Sequence, residues 1–196
     1  MPLISESYRE QQERLHEGLV IDGKPVIYGG AAESYAPLIA TIITKMEPTH
    51  VLDYGCGKNL VLPQVLKERG LQHKFKYQAY DPAVPKFAGE PIPAEMVVCI
   101  DVLEHVEEDC IEDVLDHLMS LTEAVGIFTV DTGPAKKTLP DGRNAHILQR
   151  PPEWWLPRFM CRFDLQTFQM TSERNFYVIV QAQQGMLEGR DGKKLS

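Results

Sequence analysis

Val51-Leu52-Asp53-Tyr54-Gly55-Cys56-Gly57-Lys58-Asn59 decides the fold of this chain: an apolar run halts at two glycines and gives way to 60–69, where Leu60, Val61, Leu62, Val65 and Leu66 recur at helical spacing. A strand therefore hands over to a helix through a turn whose glycines let backbone approach a ligand. A dinucleotide fingerprint would continue G-x-G-x-x-G, but its sixth position here is Leu60, so the glycine that admits close helix packing at a pyrophosphate is missing.

Outward from this turn the pattern repeats. The periodicity predicts a helix over 34–46, strands over 75–80 and 95–102, a helix over 107–124, a strand over 126–130 and a short helix over 152–160. Two alternating runs, 161–171 and 175–183, are separated only by Ser172-Glu173-Arg174 and should pair antiparallel. Strands alternating with helices imply crossovers and a mostly parallel α/β sheet. Residues 5–17 hold only Tyr8 and Leu15 on an apolar stripe and read as a mobile or loosely docked helix, while Tyr28-Gly29-Gly30 reads as a loop. The expected organisation is an N-terminal segment over 1–25, one domain over 26–184 and a disordered tail over 185–196.

With 196 residues, 43% of them hydrophobic, the chain has the size of a single domain. Its 20 basic and 28 acidic residues leave a net charge of -8, which argues against a general nucleic-acid or anionic-membrane binder. The four cysteines show no C-x-x-C pair, so neither a disulfide framework nor a metal site is expected. Without an apolar run near 18 residues or a leader-like start, the chain is expected to be cytoplasmic.

Charge also discriminates between cofactors. Asp53, at the end of the first strand of the motif, would repel the pyrophosphate of NAD, whereas S-adenosylmethionine brings an ammonium and a sulfonium and no phosphate. Asp81, in Asp81-Pro82 at the end of the next strand, is placed to accept from both ribose hydroxyls. Each motif alone also occurs in plain turns; their order, one helix apart, points to a shared ligand.

Together, Asp53-x-Gly55-x-Gly57, Asp81 and Cys99-Ile100-Asp101-Val102-Leu103-Glu104-His105-Val106 resemble the class I S-adenosylmethionine-dependent methyltransferases, in particular small single-domain members akin to the quinone-biosynthesis C-methyltransferases. The resemblance covers about residues 26–183. It implies a Rossmann-like seven-stranded sheet of order 3-2-1-4-5-7-6 with the last strand antiparallel. It also implies cofactor contacts from Asp53, Tyr54, Gly55, Cys56, Gly57 and Asn59 at the methionine end, Asp81 and Pro82 at the ribose, and Asp101 and Val102 beneath the sulfonium. The chain departs from the family in carrying Asn59 where a third glycine is common. The Pro-rich stretch 82–93 leaves the third strand and the adenine contact open, with Phe87 and Glu90 as candidates.

Methyl transfer from a sulfonium needs alignment of the acceptor and exclusion of water rather than a protein nucleophile. A base is needed only if the acceptor must lose a proton. Glu104 and His105 follow a strand at the sheet edge where such folds bind ligands; the other reading is that they begin and cap the following helix. His146, in a loop expected to overhang the same edge, is a second candidate base, against a loop-fixing role. Arg143 and Arg150 suit an anionic substrate or surface acids, and Trp154-Trp155 an aromatic wall or the core. The expected activity is methyl transfer to a small-molecule acceptor. Two other readings stay open: a nucleotide or nucleic-acid methyltransferase, against which stands the absence of a Pro-Pro-aromatic motif after the fourth strand, and a catalytically silent cofactor-binding module.

Overall fold

The computed structural model describes residues 3–16, 20–21, 24–25, 30–58 and 60–183. Tyr28, Gly29, Asn59 and the expected tail over 185–196 lie outside the described residues, as does the side chain of Leu15.

Six strands form the central sheet: β1 (His50–Tyr54), β2 (Lys76–Tyr80), β3 (Ala94–Cys99), β4 (Thr122–Asp131), β5 (Phe163–Met170) and β6 (Asn175–Ala182). Their order is β2-β1-β3-β4-β6-β5. The β2/β1, β1/β3 and β3/β4 pairs are parallel, and β6 runs antiparallel to both neighbours, so the expected antiparallel last strand is present. A separate two-stranded ladder joins Val20–Ile21 to Lys24–Pro25.

The seventh strand is not formed among the described residues. Where the expected order has an edge strand beyond β2, the chain makes a 3₁₀ turn, Pro85–Phe87. Four prolines between 82 and 93 remove the backbone donors that a further ladder would need.

Helices α2 (Gly30–Met46) and α3 (Val61–Glu68) cover one face of the sheet, and α4 (Ile111–Leu121) and α5 (Pro152–Met160) the other. Period-2 alternation in β1 serves both layers: Val51 packs with Ile39, Ile43, Leu62 and Leu66, while Leu52 and Tyr54 pack with Val114, Leu118 and Trp155. Each fully buried aliphatic side chain contributes about 1.5–3 kcal/mol. Glycine has a packing role in β4, where a Cβ on Gly126 would come within 2.5 Å of the Phe128 ring and 2.8 Å of Val180.

Two boundaries differ from the sequence reading. The helix expected over 107–124 divides into a 3₁₀ turn, Glu108–Cys110, and α4, and the chain passes directly into β4 at Thr122. Thr122 Oγ1 donates to Leu118 O at 2.8 Å, closing the last helical turn without a glycine or proline to mark it. The strand expected to reach 102 stops at Cys99, because Asp101 adopts a left-handed φ of 59°.

The acid-rich 107–116 stretch is answered from within the chain. Arg158 pairs with Glu112 at 2.8 Å, Arg162 with Glu112 and Asp116, and Arg150 with Glu108 at 2.7 Å, binding α5 and its approach to α4.

Candidate active site

The parallel strands β1, β2 and β3 end along one edge, where open α/β sheets form their ligand crevices. A cleft opens there, floored by Asp53, Gly55, Gly57, Asp81, Pro82 and Val102. Tyr54, Cys56 and Asp101 also line it. Among the described residues, every expected cofactor contact therefore meets in one cavity.

The turn after β1 is held by the neighbouring strand: the Gly55 and Cys56 amides both donate to Tyr80 O, at 2.7 and 3.1 Å. Gly55 takes φ 77°, and a Cβ placed on it would lie 2.3 Å from Val102 Cγ2. Only glycine meets both demands. Leu60, the residue that replaces the fingerprint's last glycine, itself adopts φ 47° at the start of α3, so the turn requires a left-handed residue there and uses a leucine.

Asp81 is buried, and its two oxygens accept separately, Oδ2 from Gly57 N at 3.0 Å and Oδ1 from Ala83 N at 2.9 Å. Asp53 is also buried and accepts from the Tyr77 hydroxyl at 2.5 Å. Burial pushes its pKa up to about 7, the Tyr77 hydrogen bond opposes that rise, and the negative charge of Asp81 adds to it. Asp53 is thus a carboxyl group that a ligand cation would ionise.

Across from these acids the wall comes from the N-terminal helix α1 (Glu6–His16) and the residues just before it: Leu3, Ile4, Tyr8 and Gln12 line the cleft. This segment, expected to be mobile or loosely docked, is clasped instead. Ser5 donates to Glu107 twice, from its amide to Oε2 and from its hydroxyl to Oε1, each at 2.8 Å and across 102 residues of chain. Tyr8 is buried beside Leu139, with Ile4 and Ile147 packed on them. Sequence reasoning missed these lining residues because a helix with so few apolar positions gives no periodic signal; the Ser5 cap was the available cue.

The expected catalytic group separates. His105, half-buried, lines the cleft; its Nδ1 donates to Ala145 O at 2.8 Å, which leaves Nε2 as the acceptor nitrogen. Burial, then the neighbouring His146, depress its pKa to about 4, so its ring is neutral at physiological pH. Glu104 and His146 do not line the cleft. Glu104 sits in the 3₁₀ turn Leu103–His105, fully buried, with Oε1 accepting from Asp131 N at 2.8 Å. This corrects both expectations for it, since it neither begins the acidic helix, which starts at Ile111, nor reaches the cleft.

His146 also needs correcting, because it does not swing on an overhanging loop. Asn144 Oδ1 accepts from the His146 amide and from Ala135 N, each at 2.9 Å, and His146 Nδ1 donates to Gly133 O at 2.7 Å. The ring is buried behind His105, centroids 4.8 Å apart and edge to face.

The remaining candidates lie elsewhere. Trp155 is in the core with Nε1 donating to Arg150 O, and Trp154 lies under Arg158, 3.6 Å from the ring centroid, so neither forms a cleft wall. Arg143 pairs with Asp141 and Arg150 with Glu108 at the surface. Phe87 and Glu90 do not line the cleft. The four cysteines are free thiols, and no described helix is long and apolar enough to cross a membrane.

Comparison with known proteins agrees with this architecture. No curated protein matches the sequence. Among solved structures, a Burkholderia thailandensis 1,6-didemethyltoxoflavin-N1-methyltransferase with bound 1,6-didemethyltoxoflavin and S-adenosylhomocysteine superposes with TM-score 0.62 at 16% identity, over 94% of this chain and 93% of that one. The magnesium protoporphyrin IX methyltransferase of Synechocystis PCC 6803, with bound SAH, gives TM-score 0.54 at 15% identity, over 91% and 95%. At such identities the likeness is one of fold. A family model described as a methyltransferase domain matches residues 30–184, the whole central sheet and both helical layers, and by that match the chain belongs to the methyltransferase domain family.

Proposed function

We propose that this protein is an S-adenosylmethionine-dependent methyltransferase acting on a small-molecule acceptor. The observation that carries the reading is the pair of buried carboxyl groups, Asp53 and Asp81, at the ends of adjacent parallel strands on either side of the Gly55-Cys56-Gly57 turn. Asp81 would accept from the ribose hydroxyls, and Asp53 would face the methionine ammonium. Such a pair suits a ligand that is cationic at one end and rich in hydroxyl donors at the other, and it repels a pyrophosphate. The cofactor supplies an activated methyl group; the chain supplies the cradle, the alignment and a sheltered cleft.

The acceptor would bind between Val102 and the α1 wall. Leu3, Ile4 and Val106 make that wall largely apolar, with His105 and Gln12 as polar points, a lining that suits a compact, partly apolar molecule carrying a hydroxyl or amine. The Nε2 of His105 would take the acceptor's proton. His105 replaces His146 in this role because it alone of the two reaches the cleft.

Isothermal calorimetry tests the cofactor assignment: S-adenosylmethionine or its demethylated product should bind at one site. Tight NADH binding with no response to either would overturn it. Formation of S-adenosylhomocysteine over a panel of small planar hydroxyl and amine acceptors then tests transfer itself.

A further inference from the structure

At the cleft wall and behind it stands a group of three side chains, of which only Asp101 reaches the cleft. One oxygen from each of Asp101 and Glu104 and one ring nitrogen of His146 lie within 4.8 Å of one another. Glu104 Oε2 is fully buried and has no hydrogen-bond partner. An orphaned carboxylate oxygen costs about 1–3 kcal/mol or more, so it marks a place where a partner is wanted. Asp101, which reaches the cleft, is held in a left-handed conformation by its amide donating to Thr129 Oγ1 at 2.9 Å; strain of this kind, kept up by surrounding contacts, gathers at ligand sites.

The histidine is prepared in the manner of a metal ligand. Its Nδ1 proton is committed to Gly133 O, which fixes the tautomer and leaves Nε2 as the nitrogen with a lone pair. The Asn144 contacts fix the loop that carries it.

From this geometry we infer that Asp101, Glu104 and His146 form a binding site for a single divalent transition-metal cation. Two carboxylate oxygens and one imidazole nitrogen suit Mn²⁺, Fe²⁺, Co²⁺ or Zn²⁺ better than Ca²⁺ or Mg²⁺, which prefer oxygen alone. Three protein ligands leave coordination positions for water or an acceptor oxygen. Asp101 belongs to both the cation cluster and the cleft wall, which puts the cation at the border of the acceptor compartment. No motif marks it, since the ligands stand at 101, 104 and 146 along the chain and no cysteine is involved. The site stands on its own geometry and holds whether or not methyl transfer is the activity.

The two acids also admit a metal-free arrangement, in which one proton is shared between Asp101 and Glu104. Titration of the full chain with Mn²⁺, followed by the electron paramagnetic resonance of the free ion, separates the two. One equivalent should bind, and electron spin-echo modulation should show a directly bound ¹⁴N that disappears in His146→Gln. Glu104→Gln and the exposed Asp101→Asn should each weaken binding by at least about 10–100-fold, the scale of losing even an outer partner. The surface variant Glu112→Gln should leave it unchanged. Asp101→Asn lies outside the core, so it tests the site even if Glu104→Gln fails to fold. Absence of Mn²⁺ binding at millimolar concentration, or binding that is indifferent to Asp101→Asn and lacks the nitrogen signal, overturns the assignment.

Discussion

The two walls of the cleft are built on different plans. The wall proposed to hold the cofactor comes from strand ends that are neighbours in the sheet and close in sequence: Asp53 to Gly57 from one turn and Asp81 from the next strand, joined by backbone bonds to Tyr80 O. The opposite wall is gathered from two remote places, the segment around α1 and the turn at 102–107, backed by the loop at 131–148 through Tyr8 against Leu139 and His105 on Ala145 O. The first wall is therefore set by local backbone geometry and should be brittle to single substitutions. The second is set by side-chain ties and should yield by degrees.

The sharpest test of the brittle wall is Gly55→Ala. The substitution combines a left-handed residue with a methyl group 2.3 Å from Val102. Strain and overpacking together should cost about 2–4 kcal/mol, or roughly 30- to 1000-fold in cofactor affinity by calorimetry. Retention of wild-type affinity would break the distinction at its strongest point. Asp81→Ala should follow, losing a charge-assisted pair of contacts worth about 1.5–3 kcal/mol, about 10- to 150-fold.

Asp53 offers a test by pH. Its folded pKa of about 7 stands above the ordinary value of 3.8, so between those limits the folded state holds more protons than the unfolded state. Stability of the free protein should fall as pH rises from about 4 to 7, by on the order of 2–4 kcal/mol, and level off above. Asp53→Asn should remove that slope, matching wild type near pH 4.5 in urea unfolding and exceeding it at pH 8. The same variant should bind S-adenosylmethionine less tightly and without the proton release that the wild type shows at pH 6.5. A parallel pair of stability curves would mean that Asp53 is not titrating in this range.

The gradual wall should respond least. Ser5→Ala removes one of two bonds to Glu107 and the cap on Tyr8 N, a loss of about 0.5–2 kcal/mol. It should raise the KM for the acceptor while leaving cofactor affinity within twofold. An equal effect on both ligands would show the two walls to be one mechanical unit.

The same contrast explains what could be read from the sequence. Asp53-x-Gly55-x-Gly57 was legible because a tight turn imposes its φ requirements on the residues within it. The hairpin of β5 and β6 and the extent of α5 were legible for the same reason, since turn residues and period are local. The entry into β4 was hidden because Thr122 closes α4 with no punctuating residue. His146 was misplaced because the tie that pulls it inward is Asn144, and a loop asparagine carries no mark of what it will bond. The sparse apolar stripe of α1 concealed its docking, whose partner Glu107 looked like one more acid in an acidic stretch.

The Ser5–Glu107 clasp has a consequence for the order in which the molecule is assembled. During synthesis α1 emerges well before its anchoring acid, which is made only about a hundred residues later, after β1, β2 and β3. The helix must wait for residues made much later. Closing so long a segment carries an entropic cost that the docking contacts return only once the strand ends are in place. The cradle of glycines and acids can thus form beside an open edge, and the cleft is closed afterwards, by residues made before the cradle itself.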